Sequence, residues 1–123
     1  MKVAIPVSSE SNDISPRFGN SPEFVIVTTE GNNIVNRQVE KINTEEHHGR
    51  DRILKETNID VLLCGGIGQG AINDVTASGI DISAGIQGNV DSTLQQYLSG
   101  QQVGTCQYSK NQPHWGSDGC HYL

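Results

Sequence analysis

The apolar positions fall into short segments separated by polar or glycine-rich breaks. Lys2 to Val7 is an apolar run closed by Ser8-Ser9-Glu10-Ser11-Asn12-Asp13, the pattern of a buried strand. Phe24 to Thr29 is β-branched and aromatic, Glu30-Gly31-Asn32-Asn33 is dense in turn formers, and Ile34 to Val39 resumes the extended pattern, so an antiparallel hairpin is expected. Arg50 to Thr57 holds helix formers with Ile53 and Leu54 on one face, and after the break at Asn58-Ile59-Asp60 the run Val61-Leu62-Leu63-Cys64 reads as a buried strand. A glycine-rich turn, Gly65-Gly66-Ile67-Gly68-Gln69-Gly70-Ala71, leads into Ile72, Val75 and Ala77 at helical spacing, with Gly79 as the stop. Ile80 to Ile86 is a further short strand, and Asp91 is placed to cap a helix whose Leu94, Tyr97 and Leu98 face inward until Ser99-Gly100.

The order β-β-β-α-β-α-β-α predicts an α/β fold with a mixed five-stranded sheet. Its antiparallel part is linked by the hairpin, and its parallel strands are joined by helical crossovers packed on the faces. The domain spans residues 1–100, and residues 101–123, polar and aperiodic, are expected to form a flexible C-terminal tail.

Composition narrows the function. At 123 residues with 34% hydrophobic content, the chain supports one domain with a small core. A net charge of −6 with scattered basic residues argues against nucleic acid or anionic lipid as a partner. No apolar run approaches the roughly 20 residues that span a bilayer, and the N-terminal run is too short for a signal peptide, so a cytoplasmic protein is expected. The cysteines, Cys64, Cys106 and Cys120, are odd in number, which suits buried thiols or soft metal ligands better than a disulfide framework.

Several residues could carry chemistry. Gly66-Ile67-Gly68-Gln69-Gly70-Ala71 matches a dinucleotide-type glycine pattern, although the ribose-binding acid should end the next strand and Asp81 stands at that strand's start. The turn therefore reads as tight packing of helix on strand, with an anion or cofactor on the helix N-terminus as its functional use. His47-His48 precedes a helix, where neutral imidazole suits a transition metal, and Cys106, His114, Cys120 and His121 put four soft or borderline donors in the tail. Cys64 reads as a small core hydrophobe. No G-x-S-x-G elbow occurs and the first strand carries no acid, which disfavours a serine hydrolase and a two-metal nuclease.

Ser15-Pro16-Arg17-Phe18-Gly19-Asn20-Ser21-Pro22-Glu23-Phe24, following Met1 to Val7, together with Ile59-Asp60-Val61-Leu62-Leu63-Cys64-Gly65-Gly66-Ile67-Gly68, resembles the dinitrogenase iron-molybdenum cofactor biosynthesis family. That family includes NifX, the C-terminal part of NifB, the core of NafY and small stand-alone proteins such as the orange-protein type. The resemblance implies a ribonuclease H-like motif in three αβα layers without nuclease activity. It also implies a non-enzymatic carrier or scaffold for a metal-sulfur cofactor or precursor, iron-sulfur or molybdenum-containing, working with cofactor-assembly or acceptor proteins. Carried onto this chain, the cofactor-binding residues are Arg17, Phe18, Gly19, Gly65, Gly66 and Gly68, and the metal ligands are His47, His48, Cys120 and His121. Members often carry histidine where this chain has Arg17, and a guanidinium pairs with an anionic cluster instead of coordinating metal. Two alternatives stand beside this reading: a sensor or enzyme binding a nucleotide-like anion on the glycine turn, and a docking module of a larger assembly complex.

Overall fold

The computed structural model describes residues 1–8, 12–18, 21–42, 49–101 and 103–108. Period-two alternation sorts the side chains of its central strands onto opposite faces. In β1 (Lys2–Val7), β2 (Glu23–Glu30) and β4 (Val61–Leu63), the residues Val3, Ile5, Val25, Val27 and Leu63 enter one core, while Ala4, Phe24, Ile26 and Leu62 enter the other. Helices α1 (Gly49–Glu56) and α2 (Gln69–Ala77) close the second core with Ile53, Leu54, Ile72 and Val75. Helix α3 (Val90–Leu98) closes the first with Val90 and Leu94, which completes three layers.

With β3 (Asn33–Lys41), β5 (Asp81–Ala84) and β6 (Cys106–Tyr108), the sheet has six strands in the order β3-β2-β1-β4-β5-β6. β1, β4 and β5 run parallel; β2, β3 and β6 join antiparallel. The hairpin, the helices and the parallel core follow the expected order, whereas the sheet gains one strand over the five expected. That strand lies in the segment expected to be tail. Three residues are too few to write a period, and β6 owes its place to pairing with β5, Ile82 opposite Tyr108 and Ala84 opposite Cys106, with Tyr108 buried in the core.

Two further details depart from expectation. Helix α3 is capped by Asn89, whose side chain accepts from the Asp91 and Ser92 amides, and Asp91 stands inside the first turn. The Asp91 carboxylate is engaged elsewhere: Arg37 on β3 donates to it at 2.6 Å, Arg37 also donates to Asn12 Oδ1 at 2.6 Å, and Asn12 Nδ2 donates to Asp91 at 2.7 Å. This closed ring ties the edge strand, α3 and the β1–β2 loop together. Among the described residues no helix is long and apolar enough to cross a membrane.

Candidate functional site: the carboxyl edge of the parallel strands

Ligands of open α/β sheets gather beyond the carboxyl ends of the strands, and here the segments following β1, β4 and β5 are knitted together at that edge by backbone hydrogen bonds. The Ser15 amide donates to Pro6 O at 2.9 Å, which folds the β1–β2 loop back beside its own strand. Arg17 and Gly66 then form a parallel bridge: the Gly66 amide donates to Pro16 O at 2.8 Å and the Phe18 amide to Gly66 O at 2.7 Å. On the other side, the Gly85 amide donates to Gly65 O at 2.8 Å and Ile86 to Cys64 O at 3.0 Å. The glycine turn is thus the middle member of a three-segment extension of the sheet.

Each residue type in this junction has a local reason. A side chain on Gly65 would place its Cβ 2.7 Å from Ser15 O and 3.1 Å from Pro16 O, so close approach of the β1–β2 loop excludes anything larger. Phe18 is buried and packs on Phe24 with ring centroids 5.8 Å apart, an anchor worth roughly 1.5–3 kcal/mol of apolar burial. Ser15 Oγ donates to Arg17 O at 3.0 Å and Ser21 Oγ to Phe18 O at 2.7 Å, bracing the loop from within. These contacts turn Phe18 inward and leave Arg17, its neighbour, exposed. The Arg17 guanidinium makes no ion pair or hydrogen bond among the described residues.

Helices α2 and α3, which both start near this edge, differ electrostatically. Helix α3 has its N-terminal amides taken by Asn89 and, through Val90, by Asn12 O, and it carries Asp91 in its first turn. Helix α2 starts on Gly68 with no side-chain cap and no acid in its first turn, and its first backbone bond runs from the Ile72 amide to Gly68 O at 3.0 Å. Its leading amides lack intrahelical partners and carry partial positive charge. Gly68 and Gly70 have open space where a side chain would stand, unlike Gly65.

Arg17, Gly65, Gly66 and Gly68 therefore meet at one edge, while Phe18 supports that edge from the core. Gly19, His47, His48, Cys120 and His121 lie outside the described residues, as does His114. Cys64, the residue after β4, has no exposure, and burial pushes its thiol up to about 12, so it stays protonated and inert, as expected of a core hydrophobe. Among the described residues no three His, Cys, Asp or Glu side chains gather to hold a metal ion. Asp81, the acid a dinucleotide reading needs, pairs with Val61 at the opposite end of β5 from the glycine turn. The Asn12–Arg37–Asp91 ring escaped sequence reasoning because its members are far apart in the chain and each looks like an ordinary surface residue.

Comparison with known proteins follows the same outline. Residues 1–100 match the family described as Nitro_FeMo-Co, dinitrogenase iron-molybdenum cofactor. An uncharacterized protein of Methanocaldococcus jannaschii, MJ0580, is 26% identical over 105 residues, covering 81% of this chain and 87% of its own. The crystal structure of PH0822 superposes with a TM-score of 0.75 at 31% identity, covering 82% of this chain and 91% of that one. The apo form of the orange protein from Desulfovibrio gigas superposes with a TM-score of 0.66 at 25% identity, covering 85% and 92% of the respective chains. With its matched residues spanning every element from β1 to α3, this chain belongs to the dinitrogenase iron-molybdenum cofactor family.

Proposed function

We propose that the protein is a non-enzymatic carrier or scaffold that receives an anionic metal-sulfur cofactor or precursor at the carboxyl edge of its parallel strands. The observation that carries this reading is the pairing of Arg17 with Gly66. It places a guanidinium with no partner among the described residues beside a glycine turn that opens into an uncapped helix start. Sulfide-bridged metal clusters and thiometallates carry negative charge, and these groups would hold such a cargo through charge and N–H donation. The described donor set fits anion binding and holds no coordinating cluster; direct metal ligation by His47, His48, Cys120 and His121 is the part of the proposal that comes from the family resemblance. The ribonuclease H-like character of the motif and the cofactor-assembly or acceptor proteins as partners belong to the same proposal, which rests on membership of the family and on the likeness to the orange protein.

The test is anaerobic purification, then absorbance spectroscopy with metal and sulfide analysis before and after addition of iron-sulfur or tetrathiomolybdate species. Stable, stoichiometric uptake is expected. A chain that returns from gel filtration free of metal and sulfide after every addition contradicts the carrier reading.

A further inference from the structure

On the α3 side of the same edge lies a second feature, a recess of ≈ 490 Å³ between the β5–α3 loop, the first turns of α3 and the segment leading into β6. Its walls are built by close backbone approaches. Gly85, at φ 78°, would carry its Cβ into Thr105 Oγ1, and Gly104, at φ 81°, would carry its Cβ into Ala84 O, so both positions require glycine. The volume falls within the range of small-molecule sites, roughly 300–1,000 Å³.

The lining is distinctive in charge and in hydrogen bonding. Although 18% of the chain is charged, no charged and no aromatic side chain among the described residues lines the recess. Its polar side chains include Gln87, Ser92, Thr93, Gln96 and Thr105, none of which makes a side-chain hydrogen bond among the described residues. Thr93 is the telling member. It is 5% exposed, and its hydroxyl, unlike that of Thr76 in α2, which donates to Ile72 O at 2.8 Å, does not bond back to the preceding helical turn. A buried hydroxyl without a partner is costly, and Thr93 is among the residues that line a cavity able to hold one.

We infer that the recess binds a small, neutral, hydroxyl-rich molecule, with Thr93 as its buried anchor. Anions fit poorly, because the α3 amides are already taken by Asn89 and Asn12 and no cation among the described residues lines the cavity. Metal ions fit poorly because no carboxylate, imidazole or thiol among the described residues lines it. Hydroxyl and amide side chains that both donate and accept match polyol hydroxyls, which do the same at short spacing. The residues that line this site are different from those proposed to hold the cargo around Arg17.

The experiment follows backbone amide shifts of the full chain during titration with xylitol, myo-inositol and glucose, with sodium sulfate and sodium phosphate as anion arms. Saturable shifts confined to Gly85–Gly88, Ser92–Gln96 and Gly104–Thr105 for at least one polyol, and absent for both anions, are expected. Thr93→Val is expected to weaken that binding at least tenfold while leaving the thermal midpoint unchanged or higher, because the hydroxyl has no partner among the described residues. Lack of saturation by every polyol, saturation by the anions, or shifts centred on Arg17 and Gly66 overturns the proposal. So does a Thr93→Val chain that binds normally, or one that loses stability, since either outcome shows that the hydroxyl serves something else.

Discussion

Arg17 and Gly66 pair through their backbones as a parallel bridge, so a cationic side chain and a glycine turn far apart in sequence share one position at the sheet's edge. Neither residue needs a metal or a partner to be held there. The Phe18 amide closes on Gly66 O, and the Phe18 ring locks into the core beneath. The site is thus preformed by packing, and its charge comes from one exposed guanidinium and the open start of α2.

Gly65→Ala is expected to destabilise the fold by about 1–3 kcal/mol, because the new Cβ would press on the Ser15 and Pro16 carbonyls, which are backbone atoms that cannot rotate away. Gly70→Ala, inside α2 and with open space around it, is expected to be neutral or to stabilise by up to about 1 kcal/mol. Denaturant unfolding of the two variants measures the contrast. Equal midpoints would show that the junction at Gly65 is loose.

Phe18→Ala is expected to cost about 3–5 kcal/mol, since the ring is buried against Phe24. Because the same residue fixes the Arg17–Gly66 bridge, hydrogen exchange of the Phe18 and Gly66 amides should accelerate more than that of the β2 amides. Uniform acceleration would place the role of Phe18 in the core alone.

The Asn12–Arg37–Asp91 ring predicts acid sensitivity. Hydrogen bonds from Arg37 and then from Asn12 hold the Asp91 carboxyl below its ordinary 3.8. A depressed folded-state value means that this contribution is present above the unfolded value and is lost as pH falls through the folded one. Stability of the native chain should therefore drop more steeply below about pH 4 than that of Arg37→Ala, and the difference should shrink in high salt because the pair is exposed. Parallel acid limbs for the two chains would show that the ring is energetically silent.

Cys64 sets the alkaline side. Its thiol is pushed up to about 12 by burial from an ordinary 9.0, so the unfolded chain loses this proton first and stability falls as pH rises above 9.0. Cys64→Ala should show a shallower alkaline decline, and the native chain's Cys64 should resist iodoacetamide until it is unfolded. Mass spectrometry of tryptic peptides after labelling reads the second outcome directly.

Most of the fold was legible because β1, β2, β4 and the helices each bury a face whose period the sequence writes plainly. Strand β6 was not, since Cys106-Gln107-Tyr108 carries no pattern of its own and depends on a partner, β5, far away in sequence. The capping role of Asn89 was hidden because Asp91 is an equally good capping residue by type, and only Arg37 and Asn12, brought close by the sheet, claim its carboxylate. Arg17 and the glycine turn could be singled out from their motifs, but their contact could not, because it is a backbone pairing that any residue type can make. The inward turn of Phe18 likewise depends on Phe24 beneath it.

The most direct test of the central claim compares tetrathiomolybdate and iron-sulfur uptake by the native chain, Arg17→Ala and Arg17→Lys under anaerobic conditions at low and high ionic strength. Expected are saturable uptake by the native chain, at least tenfold weaker binding by Arg17→Ala, intermediate binding by Arg17→Lys, and a difference that narrows with salt as a charge contact should. Uptake by Arg17→Ala equal to that of the native chain at low salt would contradict it.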